Sequence, residues 1–179
     1  MKIVAGLCLA LCLSRAYGAD AVGHIPVSAE LRLVDGQTDV FLGGMTVRVV
    51  KGHVGTLTAH SYDTFTSYLL PRRAGGEWLQ ILIDQPDSSD PQLRTVESAD
   101  STVQAIAMYR SGDVLYAVQA TKGGAEAPDL YLKPEMITFK VYRFNGNLDI
   151  ARFNLVQTSR SKSAYMDASD ALAKEFFSR

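Results

Sequence analysis

The stretch 136-MITFKVYRFNGNLDIARFNLVQT-158 decides the fold class. Ile137, Phe139 and Val141 alternate with polar residues, and Ala151, Phe153 and Leu155 do the same after Asn145-Gly146-Asn147. Alternation of period two is the mark of a strand with one buried face. Asn-Gly between two such runs is a strong hairpin signal, because both residues tolerate positive φ. The stretch therefore reads as a hairpin, with those six apolar residues pointing inward.

The pattern recurs upstream. "STVQAIAMYR" and "VLYAVQA" flank Ser111-Gly112-Asp113, which predicts a second hairpin. Leu31 and Leu33, then Met45, Val47 and Val49, keep the same alternation, and "TFTSYLL" (64–70) is rich in β-branched and aromatic residues. Leu79, Ile81 and Ile83 share one face of a strand read over "EWLQILID". The predicted loops are "PRRAGGE" before Trp78, "DQPDSSDPQ" (84–92) and the glycine-flanked "KGHVG" around His53. The ending predicts one helix over 167–177. Asp167 is placed to cap it, Ala168, Leu172 and Phe176 lie on one face, and Asp170 and Lys174 are spaced to pair. The expectation is an α+β domain, mainly antiparallel β, built as a sandwich or strongly curved sheet with one C-terminal helix.

The first twenty residues carry a different signal. Lys2 precedes an apolar run from Ile3 to Leu13, and Ala16-Tyr17-Gly18 offers the small residues that a signal peptidase needs. Residues 1–18 read as a signal peptide, cleaved between Gly18 and Ala19, with one secreted domain over 19–179 and a periplasmic location. Cleavage takes Lys2 and Arg15 from 18 basic side chains, leaving 16 against 19 acidic ones and a net charge of −3. That balance gives no footprint for nucleic acid, and no second apolar run is long enough to span a membrane. Cys8 and Cys12 leave with the signal, so neither a disulfide nor a thiol nucleophile is expected in the remainder.

Signs of catalysis are sparse. Ser159-x-x-Lys162 has the spacing of penicillin-recognising serine acylases, but no Ser-Asp-Asn or Lys-Thr-Gly string accompanies it. "TKGG" (121–124) is the nearest approach and reads as a glycine-rich turn. "SRSK" itself reads as a polar turn ahead of the helix. His60 with Asp63 is half a metal site, and Asp84, Asp87 and Asp90 do not meet EF-hand spacing. His24 stands five residues after the expected cleavage point, in a segment expected to be mobile, which weakens any triad built on it. No catalytic residue, metal or cofactor is assigned.

Binding is the remaining class. Arg72 and Arg73 sit just ahead of Trp78. A guanidinium fork can hold a carboxylate in two parallel bonds, and Trp78 could wall the site. The tyrosines Tyr62, Tyr68, Tyr109 and Tyr116 read as sheet packing.

The succession "HSYDTFTSYLL", the Trp78 segment, "VYRF" and "RFNLVQTSRSKSAYMDASDALAKEF" resembles the CarG-type carbapenem intrinsic-resistance proteins over roughly residues 40–178. Its densest part is Phe153, Ser163, Tyr165, Asp167, Ala171 and Glu175. The resemblance implies a periplasmic protein that protects cells from carbapenems without β-lactamase machinery. Its partner would be a β-lactam or a cell-wall target protein. A different class, the small secreted lysozyme inhibitors, carries Ser-Gly-x-x-Tyr on an exposed loop. Here Ser111-Gly112 and Tyr116 are separated by one residue too many, which turns the tyrosine to the other strand face.

Overall fold

The structure is a computed structural model that describes residues 25–86 and 90–178. The predicted signal peptide, Cys8, Cys12, His24 and Asp87 lie outside the described residues.

The chain enters as β1 (Ile25–Pro26) and one 3-10 turn, Val27–Ala29. Four strands follow: β2 (Gly36–Leu42), β3 (Met45–Val54), β4 (Tyr62–Leu69) and β5 (Leu79–Gln80). Gly43 and Gly44 close the β2–β3 hairpin with φ of 49° and 85°, the left-handed values that a two-residue hairpin loop demands. β2 was not expected from the sequence, although Gly-Gly between alternating runs is its signature. β3 runs through His53, so "KGHVG" is largely strand rather than turn. Leu31 and Leu33 pack on the core without joining a ladder.

The strand predicted over "EWLQILID" is broken. β5 ends at Gln80, and β6 (Leu82–Ile83) belongs to another sheet. Ile81, fully buried, is the crossing point: its N–H donates to the Ser67 carbonyl, and the next N–H, of Leu82, donates to the Ala151 carbonyl. Leu79 is left 56 % exposed, against the shared inward face expected of it.

The short strands β7 (Leu93–Arg94) and β8 (Val96–Glu97) lead to β9 (Thr102–Ser111) and β10 (Val114–Lys122), joined through Gly112-Asp113 as predicted. A one-turn helix, α1 (Asp129–Leu132), precedes β11 (Glu135–Asn145) and β12 (Arg152–Tyr165). The β11–β12 connection is longer than a tight Asn-Gly turn, since the ladder closes at Asn145 opposite Arg152. The larger sheet has the order β6-β12-β11-β10-β9-β8, and the smaller has β2-β3-β4-β5, with β7 also paired to β4.

The larger sheet is buried on both faces. One face meets the smaller sheet across Val40, Val47, Phe65, Met108, Leu115, Tyr142 and Phe153. Its other face, with Tyr109, Val118, Ile137, Phe139 and Val141, is roofed by the C-terminal segment. The six inward residues of the β11–β12 hairpin therefore divide. Ile137, Phe139 and Val141 face the roof, whereas Ala151, Phe153 and Leu155 face the sandwich interior. Strict pairing of Phe144 with Phe153, and a bulge next to Val141, set this parity.

The roof is shorter than the predicted helix. α2 (Ala168–Ala171) continues into one π-helical turn, Leu172–Phe176, and the chain then straightens into β13 (Phe177–Ser178), which pairs in parallel with β1. Ala168, Leu172 and Phe176 are buried as expected, and Lys174 Nζ lies 2.6 Å from Asp170 Oδ2. Asp167 stands at the N-cap position but makes no cap; its Oδ1 accepts the Thr102 N–H at 2.8 Å and ties the roof to β9. The outcome is a curled, mostly antiparallel β sandwich carrying a short C-terminal helix.

Candidate functional site

The loop after β4 holds two of the predicted ligand contacts. It is tight: Gly75 has φ of 80°, the Gly76 N–H donates to the Arg73 carbonyl, and a Cβ on Gly76 would fall 2.6 Å from Pro71 Cβ. Arg72 and Arg73 are exposed and make no ion pair among the described residues. Arg72 borders a cleft of about 520 Å³ at one end of the sandwich. The cleft's apolar lining comes from Met45, Leu69, Leu70 and Pro71.

Trp78 has other neighbours. Its ring carries the Arg48 guanidinium 4.6 Å from the centroid, and Tyr68 meets it edge-on at 5.8 Å. Arg48 in turn makes two 2.7 Å bonds to the Asp39 carboxylate, and this bonding holds the Asp39 pKa below its ordinary value. The arginine partner of Trp78 thus comes from β3. Sequence proximity favoured Arg72 and Arg73. The cross-strand register, in which Arg48 opposes both Asp39 and Tyr68, was the signal that could have found it.

A second, larger groove of about 650 Å³ opens between the segment Val27–Leu33 and the strands β3, β4 and β9. Phe65, Ile106 and Met108 line its apolar part, while Glu30, Lys51 and Asp63 supply charge. Lys51 Nζ bridges Asp63 at 2.9 Å and Asp35 at 3.1 Å, and Asp63 also meets His53 Nδ1 at 2.9 Å. Burial raises the Asp63 pKa, but the bonds from Lys51 and His53 outweigh it and leave the carboxyl below its ordinary value. Burial raises Glu30. The partner of Asp63 is therefore His53, not His60, whose Nδ1 lies 3.3 Å from the Glu97 carbonyl. Among the described residues no three His, Cys, Asp or Glu side chains cluster as a metal site. Asp84 is engaged by Asn154 Nδ2 at 2.8 Å and Arg152 Nη1 at 3.4 Å, and Asp90 accepts the Gln92 N–H.

"SRSK" lies within β12 and is not a turn. Ser159 opposes Phe139, and no hydrogen bond joins it to Lys162. A spacing of three places two side chains on opposite faces of a regular strand. Between Arg160 and Ala164 the ladder shifts, and the shift is held from two sides: Ser161 Oγ accepts the Ile137 N–H, and the Glu175 carboxylate accepts the N–H groups of Lys162 at 2.7 Å and Ser163 at 3.0 Å. Tyr116 is stacked on buried Tyr109 at 4.9 Å, so the Ser111-Gly112 tip does not present it as a lysozyme inhibitor would.

One functional group escaped the sequence reading. Lys122, in "TKGG", is the last residue of β10 and only 2 % exposed, and its Nζ has no hydrogen-bond partner among the described residues. Burial lowers its pKa, and the Asp167 and Glu135 charges restore only part of that.

No protein-family model matches the sequence, and no curated protein is similar to it at a significant level. Among solved structures the chain is similar to the crystal structure of CarG, with a TM-score of 0.66 and 19 % identity, over 84 % of this chain and 99 % of that one. The chain has a CarG-like fold. At this identity the likeness concerns the fold, and none of the side chains above is assigned a role by it. Among the described residues no helix is long and apolar enough to cross a membrane.

Proposed function

We propose that the protein is exported to the periplasm and protects the cell from carbapenem-type β-lactams by binding or shielding, without turnover. The observation that carries this reading is a fold shared with CarG over nearly the whole of that chain, together with the terminal residue pattern that resembles the same group. The Arg72 cleft supports a binding mode. It joins an uncommitted guanidinium to apolar walls, in a volume of the size that small-molecule sites occupy. A carbapenem carboxylate would take the guanidinium fork and its bicyclic body the Met45, Leu69 and Leu70 lining. Trp78 does not line this cleft and plays no part in this mode.

The test is expression in a carbapenem-sensitive host, with and without residues 1–18. Protection is expected only from the chain that carries them, and Arg72→Ala should reduce it while Ser159→Ala leaves it unchanged. Purified protein incubated with the drug should leave its absorbance steady and acquire no covalent mass. Unaltered susceptibility in every strain would remove the resistance role, and an adduct lost in Ser159→Ala would replace binding by acylation.

A further inference from the structure

The outer face of the β2–β5 sheet carries two adjoining rows of side chains. Register sets Asp39, Arg48, Tyr68 and Gln80 side by side across the four strands. Extending the same register by two residues sets Phe41 beside Thr46, then Leu70 and Trp78. Three inter-strand spacings separate the ends of that second row, roughly 14 Å. Phe41 is 68 % exposed and Trp78 49 % exposed, so an aromatic ring stands open at each end. Between them stand Thr46 and Leu70, both half-buried.

This arrangement is fixed before any ligand arrives. Asp39 locks Arg48 through two 2.7 Å bonds, Arg48 covers one region of the Trp78 ring, and Tyr68 sits at its edge. The one acid and the one base in these rows neutralise each other, so a polyanion gains no net attraction here. A protein interface would concentrate its apolar area at the centre of the patch and place polar groups at the rim. Here the most exposed apolar groups, Phe41 and Trp78, stand at the two ends of the row instead. A sugar ring has an apolar C–H face and a rim of hydroxyls, and it matches an aromatic plane flanked by amide, hydroxyl and forked charged groups.

We infer that the outer face of the β2–β5 sheet is a carbohydrate-binding platform, on which an uncharged linear oligosaccharide stacks on Trp78 and Phe41 and bonds to Asp39, Arg48 and Gln80. The proposal stands independently of the Arg72 cleft and of carbapenem protection.

Trp78 is the single tryptophan of the chain, so its emission reads the platform directly. The probes are chitotetraose and cellotetraose, titrated into the purified protein at low and high salt. At least one should shift Trp78 emission saturably, with an affinity that salt leaves unchanged. Phe41→Ala, at a surface position, should weaken binding about tenfold, the loss of one aromatic contact. Asp39→Asn should weaken it with the circular dichroism spectrum unchanged, and calorimetry on Trp78→Ala should show binding lost. Silent emission and no heat with either probe at millimolar concentration would overturn the proposal. So would a response confined to heparin and abolished by salt, or self-association that Phe41→Ala removes, which would make the face a protein interface.

Discussion

At the residue scale, Lys122 is a cost that the fold carries. Lys122 is 2 % exposed and its Nζ finds no hydrogen-bond partner among the described residues, so burial disfavours the charged form, and the neighbouring Asp167 and Glu135 charges compensate only in part. Because its folded pKa lies below the ordinary 10.5, the unfolded chain binds more protons between the two values. Stability then rises with pH across that window as the penalty is relieved. Lys122→Met keeps the stem and removes the charge, so it should raise the melting temperature at neutral pH and abolish this alkaline gain. A variant that melts lower, with the gain intact, would show that the ammonium is satisfied in solution. "TKGG" gave no hint of this, because a lysine beside two glycines reads as a solvated turn and only the ladder with β11 draws it inside. The terminal pattern was legible for the opposite reason. Phe153 is core, Ala171 is buried, Asp167 holds Thr102, and Glu175 holds the β12 bulge. Those residues specify the architecture of the C-terminal end, so the resemblance foretold the fold and is silent about ligand chemistry.

At the element scale, the C-terminal roof depends on Glu175 more than on helix propensity. Four residues of α2 and one π turn are too short to be stable by themselves. Glu175 binds the bulge through two N–H groups, and the nearby Tyr165 hydroxyl also favours its charged form. Burial raises the Glu175 pKa, but the two N–H bonds, the Tyr165 hydroxyl and the Lys162 charge outweigh it and leave the carboxyl below its ordinary 4.5. A depressed carboxyl contributes stability that is complete above the unfolded value and lost as pH falls through the folded one. Glu175→Gln should therefore destabilise by about 0.5–1.5 kcal/mol at pH 7, the net scale for a hydrogen bond, and should flatten the acid limb of the stability curve below pH 4.5. Equal acid sensitivity in the two proteins would place the responsible carboxylate elsewhere, with Asp63 next in line. The helical periodicity of Ala168, Leu172 and Phe176 was readable because all three share the buried face. The end of the helix was not. Phe177 leaves it to pair with Ile25, a contact 152 residues away in sequence that no local signal encodes.

At the scale of the whole molecule, the two cores share one sheet. Phe139 lies beneath the roof and Phe153 between the sheets, both buried and on paired strands. Each truncation to alanine should cost about 3–5 kcal/mol. Since β11 contributes to both cores, either variant should still unfold in one transition, by fluorescence and circular dichroism alike. Separate transitions would mean that the roof and the sandwich are independent units. The hairpins were legible because their partners adjoin in sequence. The division of the strand through Ile81 was not, since apolar alternation is equally satisfied by one sheet or by a crossing between two. The Arg48–Trp78 contact was hidden for a related reason, its partners being brought together by register across three strands.

The parallel pairing of β1 with β13 has a consequence for how the chain is made. During vectorial emergence from a ribosome, Ile25 precedes Phe177 by 152 residues and must wait for it. Until then Tyr109, Phe139 and Val118 stand uncovered on a fully formed sheet. That interval is when an aggregation-prone surface is open. The segment from Ala168 to Phe177 acts as a closing signal, and a chain cut short before Leu172 would present that sticky face to any chaperone or protease it meets.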